Sequence, residues 1–166
     1  MKLGILGAGG IASTMAKTVA GMKDVEAYAV AARDLGRAQV FAQKYEVKKA
    51  YGSYEEMLAD DEVELVYIAT PHSHHYLHAK MCLEAGKHVL CEKPAASNAW
   101  EWSAMVRAAE RNGVVVLEAM RPVFHPGFQA IKDCLPRLGT LRRATFIYCQ
   151  YSSRYDKFKN GIVENA

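Results

Sequence analysis

An apolar run at residues 2–6 leads straight into Gly7-Ala8-Gly9-Gly10-Ile11-Ala12, and helical periodicity follows over residues 11–19, with Gly21 just past its end. A strand, a glycine-rich turn and a helix in that order leave few folds open. The spacing is G-x-G-x-x-A, and each small residue has a physical task. Gly7 permits the tight turn, Gly9 lets a pyrophosphate approach the backbone, and Ala12 keeps the helix close to the sheet. The helix start then supplies free N–H groups and the positive end of a dipole, which together favour an anion. A β-α-β unit opening in this way predicts dinucleotide binding.

The alternation continues. Residues 25–31 read as a second strand, and Leu35, Ala38, Phe41, Ala42 and Tyr45 form the apolar stripe of an amphipathic helix. Ser53 with Glu56 is a capping box, so a short helix begins there. Residues 64–69 form the clearest buried strand, stopped by Thr70-Pro71. A helix over 76–85 ends at Gly86, and residues 88–91 give another strand. Asn98 with Glu101 opens a helix running to Gly113, before a strand at 114–118. Near-continuous apolar strands separated by helices imply an α/β fold, a doubly wound parallel sheet of Rossmann type covered on both faces.

After Glu118 the texture changes. Pro122, Pro126, Gly127 and Pro136 punctuate a stretch with one helix, about 127–134. Residues 142–151 alternate as a half-exposed strand, with Ala144, Phe146 and Tyr148 on one face and Thr145 and Ile147 on the other. Residues 152–166 are polar and aperiodic. A lone long strand cannot make a sheet, so the expected organisation is a dinucleotide-binding domain over 1–120 and, over 121–166, the incomplete start of a second α/β domain.

Composition excludes several classes. Of 166 residues, 51% are hydrophobic and 23% charged, which argues against disorder. No apolar run approaches the roughly 20 residues of a membrane helix, and no signal-peptide pattern precedes the first strand. The net charge of +3 is dispersed, with no nucleic-acid-binding motif. Cys82, Cys91, Cys134 and Cys149 form no C-x-x-C pair, and scattered thiols fit a reducing cytoplasm.

The end of the second strand reports on the dinucleotide. An NAD site holds the ribose hydroxyls with an acidic residue there. This chain has Ala32 at that point and Arg33 beside it, a small residue and a guanidinium that accommodate a 2′-phosphate, so NADP is favoured over NAD. Asp34 stands as the alternative acidic residue one step further on. His72, His74, His75 and His78 cluster after Thr70-Pro71. His74 and His78 would share a helix face, yet no third ligand falls at a characteristic spacing, so no metal is expected. These histidines sit instead at the carboxyl edge of a central strand, where open sheets bind ligands. Lys93, in Cys91-Glu92-Lys93-Pro94, ends the next strand at the same edge and can donate to a substrate oxygen or take its proton.

Together these pieces resemble the glucose-fructose oxidoreductase / inositol dehydrogenase / rhizopine catabolism family (Gfo/Idh/MocA). The matching text is Gly7 to Ala12, Ala29-Val30-Ala31-Ala32-Arg33-Asp34, the Tyr51-Gly52-Ser53-Tyr54 stretch, Val66-Tyr67-Ile68-Ala69-Thr70-Pro71 with His75, Gly86-Lys87-His88-Val89-Leu90-Cys91-Glu92-Lys93-Pro94, and Glu118-Ala119. The resemblance implies an NAD(P)-dependent dehydrogenase or reductase moving a hydride to or from a carbinol carbon of a sugar, inositol or diol, and a homo-oligomer in the full-length protein. It implies Lys93 as the catalytic lysine. Gly7, Gly9, Gly10, Ile11, Ala12, Ala32, Arg33, Thr70, Pro71, His72, His75, Glu92, Lys93, Glu118 and Arg121 would then contact the cofactor. Family chains are about twice as long and carry a second catalytic motif beyond Ala166; the tail here offers only Asp156 and Glu164, and His72 stands where asparagine often follows Thr-Pro. The isolated chain is therefore expected to be inactive. A non-catalytic dinucleotide-binding module or redox sensor is the alternative, although Glu92-Lys93-Pro94 is a motif that a sensor would not need.

Overall fold

A computed structural model describes residues 1–152 and 155–161, and the chain divides into two units, the first Met1–Ala119 and the second beginning at Met120. In the first unit the order is β1 (Lys2–Leu6), α1 (Gly10–Val19), β2 (Glu26–Ala31), α2 (Leu35–Tyr45), β3 (Lys49–Tyr51), α3 (Tyr54–Leu58), β4 (Leu65–Ile68), α4 (His75–Glu84), β5 (His88–Cys91), α5 (Ala99–Arg111) and β6 (Val116–Glu118). The strands form one six-stranded sheet in the order β3-β2-β1-β4-β5-β6, and every pairing is parallel. The chain winds outward in one direction from β1 and then in the other from β4, so the crevice between these two strands is the switch point at which such sheets bind ligands.

Alternation along each strand divides the core between the two faces. Leu3 and Ile5 of β1, Val30 of β2 and Tyr67 of β4 pack with Ala12 and Ala16 of α1 and Phe41 of α2. Leu6, Ala31, Ile68 and Cys91 face the other way, against Ala79 and Leu83 of α4 and Met105 of α5. Full burial of each large aliphatic side chain contributes about 1.5–3 kcal/mol. Ala12 is 0% exposed, so a methyl group is all that separates α1 from the sheet at its first turn.

The helix starts follow the capping residues. Asp34, Ser53 and Asn98 accept hydrogen bonds from the backbone N–H groups of Arg37 (2.8 Å), Glu56 (3.2 Å) and Glu101 (2.9 Å). The Glu101 carboxylate reaches back to the N–H of Ser97 at 2.8 Å, one residue earlier than the capping box places it.

Three features depart from the expected pattern. β3 has no apolar alternation to announce it; it exists because Lys49 pairs with Ala29 at the sheet edge and because Asp60 accepts from Lys49 Nζ (2.8 Å) and the Tyr51 hydroxyl (2.6 Å). β6 begins at Val116 rather than at 114. Residues 142–151 do not form a strand: among the described residues none pairs with them, and Phe146, Ile147 and Tyr148 are 94%, 82% and 88% exposed. Their alternation is a preference that a strand realises only with a neighbour to accept its ladder bonds.

The second unit contains α6 (Pro126–Cys134), capped by His125 Nδ1 on the N–H of Gly127 at 3.1 Å, and α7 (Tyr155–Lys159), inside a segment that has no periodicity in the sequence. Glu164 lies outside the described residues.

Asn98→Ala should lower the unfolding free energy of the chain by about 1 kcal/mol in urea, while Asn98→Asp should be near neutral, because only the capping oxygen is at stake.

Candidate active site at the carboxyl edge of the sheet

The turn after β1 is built by contacts that exclude a side chain. Gly7 has φ +103°, and its N–H donates to the Ala31 carbonyl at 2.9 Å. A Cβ there would stand 3.0 Å from the Ala69 carbonyl oxygen and 3.4 Å from the Thr70 methyl. Gly9 is different: it is the N-cap of α1 in extended backbone, and a Cβ on it, or on Gly10, would meet nothing within 4 Å. α1 also has no side-chain cap and no acidic residue in its first turn, whereas α2, α3 and α5 are each capped by a side chain. Its first N–H groups and its positive dipole end therefore open onto the crevice beside β4. Ile11 is half exposed at the same turn.

At the end of β2, Ala32 is buried in the apolar core and its N–H bonds to the Tyr51 carbonyl at 3.2 Å, so a methyl group stands where an NAD site carries its carboxylate. Arg33 is exposed. Asp34 spends one carboxylate oxygen on the α2 cap, so it serves the helix. A groove of about 500 Å³ runs from the turn along α2, lined by Ala8, Ser13, Arg37, Phe41, Lys44 and Tyr45. Arg37 and Lys44 were not singled out from the sequence. Arg37 follows Arg33 by one helical turn, and that spacing was the available signal.

The histidine segment folds as a single 3-10 turn, His72–His74, followed by α4. His75 is fully buried. Its Nδ1 lies 2.7 Å from the Pro94 carbonyl oxygen, and its Nε2 lies 2.8 Å from that of Thr70. Thr70, also buried, has its hydroxyl 2.9 Å from His78 Nδ1. The His78 ring stacks on His74 at 5.4 Å and meets the Tyr54 ring edge-on at 4.9 Å. Burial pushes His78 down to about 4, with charges on His74 and His75 acting in the same direction. Among the described residues no three His, Cys, Asp or Glu side chains come together to hold a metal ion.

β5 delivers the remaining groups. Glu92 accepts from the Tyr67 hydroxyl at 2.6 Å, and its second oxygen faces the N–H of Lys93 at 3.3 Å. The carboxylate is thus fixed from the face of β4, while the Lys93 side chain stands exposed at the strand tip and the Lys93–Pro94 peptide is cis. Glu118 accepts from the Ala95 N–H at 2.9 Å and lines a cavity of about 380 Å³ with Asn98 and Trp102. The buried Cys91 thiol is pushed up to about 12 by desolvation, with Glu92 and Glu118 adding to it, so it is not a nucleophile. The first unit thus carries the Gly7–Ala12 turn, Ala32, Arg33, Thr70, Pro71, His72, His75, Glu92, Lys93 and Glu118 at the carboxyl edge of one sheet. Arg121 belongs to the second unit, where it begins the 3-10 turn Arg121–Phe124 and lines a pocket with His125 and Phe128.

A parallel sheet in this strand order, with an uncapped glycine-rich helix start at its switch point, defines a dinucleotide-binding Rossmann unit. Residues 1–120 match the Gfo/Idh/MocA family, described as an oxidoreductase family with an NAD-binding Rossmann fold. The chain belongs to that family of NAD(P)-binding oxidoreductases. It is 43% identical over its whole length to scyllo-inositol 2-dehydrogenase (NADP(+)) of Bacillus subtilis, covering 51% of that protein. It is 45% identical over 148 residues to trans-1,2-dihydrobenzene-1,2-diol dehydrogenase of Mus musculus, which is 87% of this chain and 44% of that one. A 3-ketoreductase from Actinomadura kijaniata, solved with TDP-benzene and NADP, superposes with a TM-score of 0.78 at 26% identity over 82% of this chain and 43% of its own. The chain spans about half the length of these relatives.

Because His78 is held neutral, acid works against the fold. The unfolded chain takes up this proton near pH 6.5 and the folded chain only near 4, so stability falls as pH drops through that window and levels off below it. Allowing for solvent screening of a half-buried ring, the loss is about 1–2 kcal/mol. Urea unfolding at pH 7 and pH 4.5 should show this slope, and His78→Gln should flatten it.

Proposed function

We propose that this chain is the NADP-binding part of an oxidoreductase that moves a hydride between nicotinamide and the carbinol carbon of a sugar, inositol or diol. The observation that carries the reading is the uncapped start of α1 behind Gly9, with open space where a Cβ would stand. Gly7, Gly9, Gly10, Ile11 and Ala12 present backbone N–H groups to a pyrophosphate. Arg33, beside the small Ala32, meets a 2′-phosphate, and Arg37 borders the same groove. Thr70, Pro71, His72 and Glu92 line the crevice toward the nicotinamide end, with Glu118 further along the same sheet edge, while the fully buried His75 supports that edge from behind rather than touching the cofactor.

The nicotinamide ring, when bound, supplies the hydride chemistry. Lys93 holds the substrate hydroxyl and exchanges its proton, and Glu92, fixed by Tyr67, sets the charge beside it. The inositol and dihydrodiol dehydrogenases among the relatives support a polyol-like substrate. The domains divide at about residue 120, and residues 121–166 begin the domain that supplies the substrate pocket and the homo-oligomer contact. Free thiols at all four cysteines support a cytoplasmic protein. Among the described residues no helix is long and apolar enough to cross a membrane.

Fluorescence titration of NADPH and NADH into the folded chain should show tighter NADPH binding. Arg33→Ala should weaken NADPH by about 1–3 kcal/mol and NADH much less. Equal weakening of the two would count against Arg33 as the phosphate reader. Gly9→Ala should leave the circular dichroism and urea midpoint unchanged yet weaken both nucleotides at least tenfold, or about 1.4 kcal/mol. A folded Gly9→Ala chain that binds as well as the parent would remove the turn from the site.

A further inference from the structure

The two ring nitrogens of His75 face two groups of one kind. Nδ1 lies 2.7 Å from the Pro94 carbonyl oxygen and Nε2 2.8 Å from the Thr70 carbonyl oxygen, and the ring is fully buried. A carbonyl oxygen can only accept. A neutral imidazole has one N–H, so one nitrogen lone pair would then point at an oxygen lone pair at hydrogen-bond distance. Both contacts are bonds only if the ring carries two protons.

We propose that His75 is a positioning residue: as a buried imidazolium it clamps the carboxyl end of β4 to the segment after β5, and so sets Lys93 relative to the dinucleotide turn. The clamp has two jaws. Thr70 is the residue whose methyl lies against Gly7, and Pro94 directly follows Lys93. A ring between these carbonyls ties the phosphate-binding turn to the lysine through one side chain. Charge-assisted bonds are shorter and stronger than neutral ones, and two of them act against the cost of burying a cation at the first residue of α4. The titratable groups around it are His72, with ring centroids 5.3 Å apart, and His74 from the 3-10 turn, His78 one turn further along α4, and Glu92 and Lys93, which precede Pro94. Of these, His78 is held neutral by burial and adds no competing charge.

The consequence for binding rests on the NADP reading above, but the protonation state does not. A long-range ¹H–¹⁵N spectrum of the chain labelled at histidine, recorded at pH 7 and assigned with His75→Gln, should show both His75 nitrogens protonated. In a second arm, NADPH should shift the Lys93 backbone amide in the parent chain. In folded His75→Gln that shift should be lost and the dissociation constant should rise about tenfold. A His75 ring with one bare nitrogen overturns the clamp. So does a folded His75→Gln chain in which NADPH moves the Lys93 amide as in the parent. A parent chain that binds no NADPH would sink the dinucleotide reading, while the imidazole spectrum would still decide the clamp.

Discussion

The parallel pairing of β1 with β4 brings two chain segments some sixty residues apart into register, Leu3 beside Leu65 and Leu6 beside Ile68. Everything at the carboxyl edge depends on that alignment. It sets Gly7 against the Ala69 carbonyl so closely that the turn tolerates no Cβ, and it brings the Thr70 methyl against the same turn. Because the winding reverses there, neither α1 nor α4 covers the gap between the two strand ends. The crevice is a consequence of topology before any side chain contributes to it.

What the side chains add is charge held in place by uncharged parts of the fold. Tyr67 is part of the apolar core, yet its hydroxyl emerges at the edge to fix Glu92. Asp34 caps α2 through the N–H of Arg37, which lines the groove along the helix, and the exposed Arg33 directly precedes that cap. The sheet edge therefore carries an uncapped helix start and exposed arginines at β1 and β2, and a fixed carboxylate beside an exposed lysine at β5.

Much of this was legible in the residues. Near-continuous apolar runs specify β1 and β4, an apolar stripe specifies α2 and a capping box specifies α5, because local propensity and burial agree there. β3 was not, since an edge strand of Lys49, Ala50 and Tyr51 owes its existence to β2 and Asp60 rather than to its own pattern. The opposite error occurred at 142–151, where the alternation is strong and the neighbour is absent. Among the candidate site residues, the glycine turn could be named from its spacing, Arg33 from its place after the second strand, and Lys93 from the resemblance of its motif, and all three stand at the carboxyl edge. The two-carbonyl environment of His75 could not, because Thr70 and Pro94 meet across the ends of two strands and no spacing rule encodes that meeting.

Gly7 and Gly9, two residues apart, answer to different demands. The fold itself forbids a side chain at Gly7, so that glycine would be needed even if the molecule bound nothing. Gly9 borders empty space, and the protein in isolation has no use for its bareness. A descendant of this chain that had lost its ligand would be free to drift at position 9 while still held at position 7. Comparing substitution at those two positions across divergent copies would thus separate chains still under selection to bind from chains that are merely still folding.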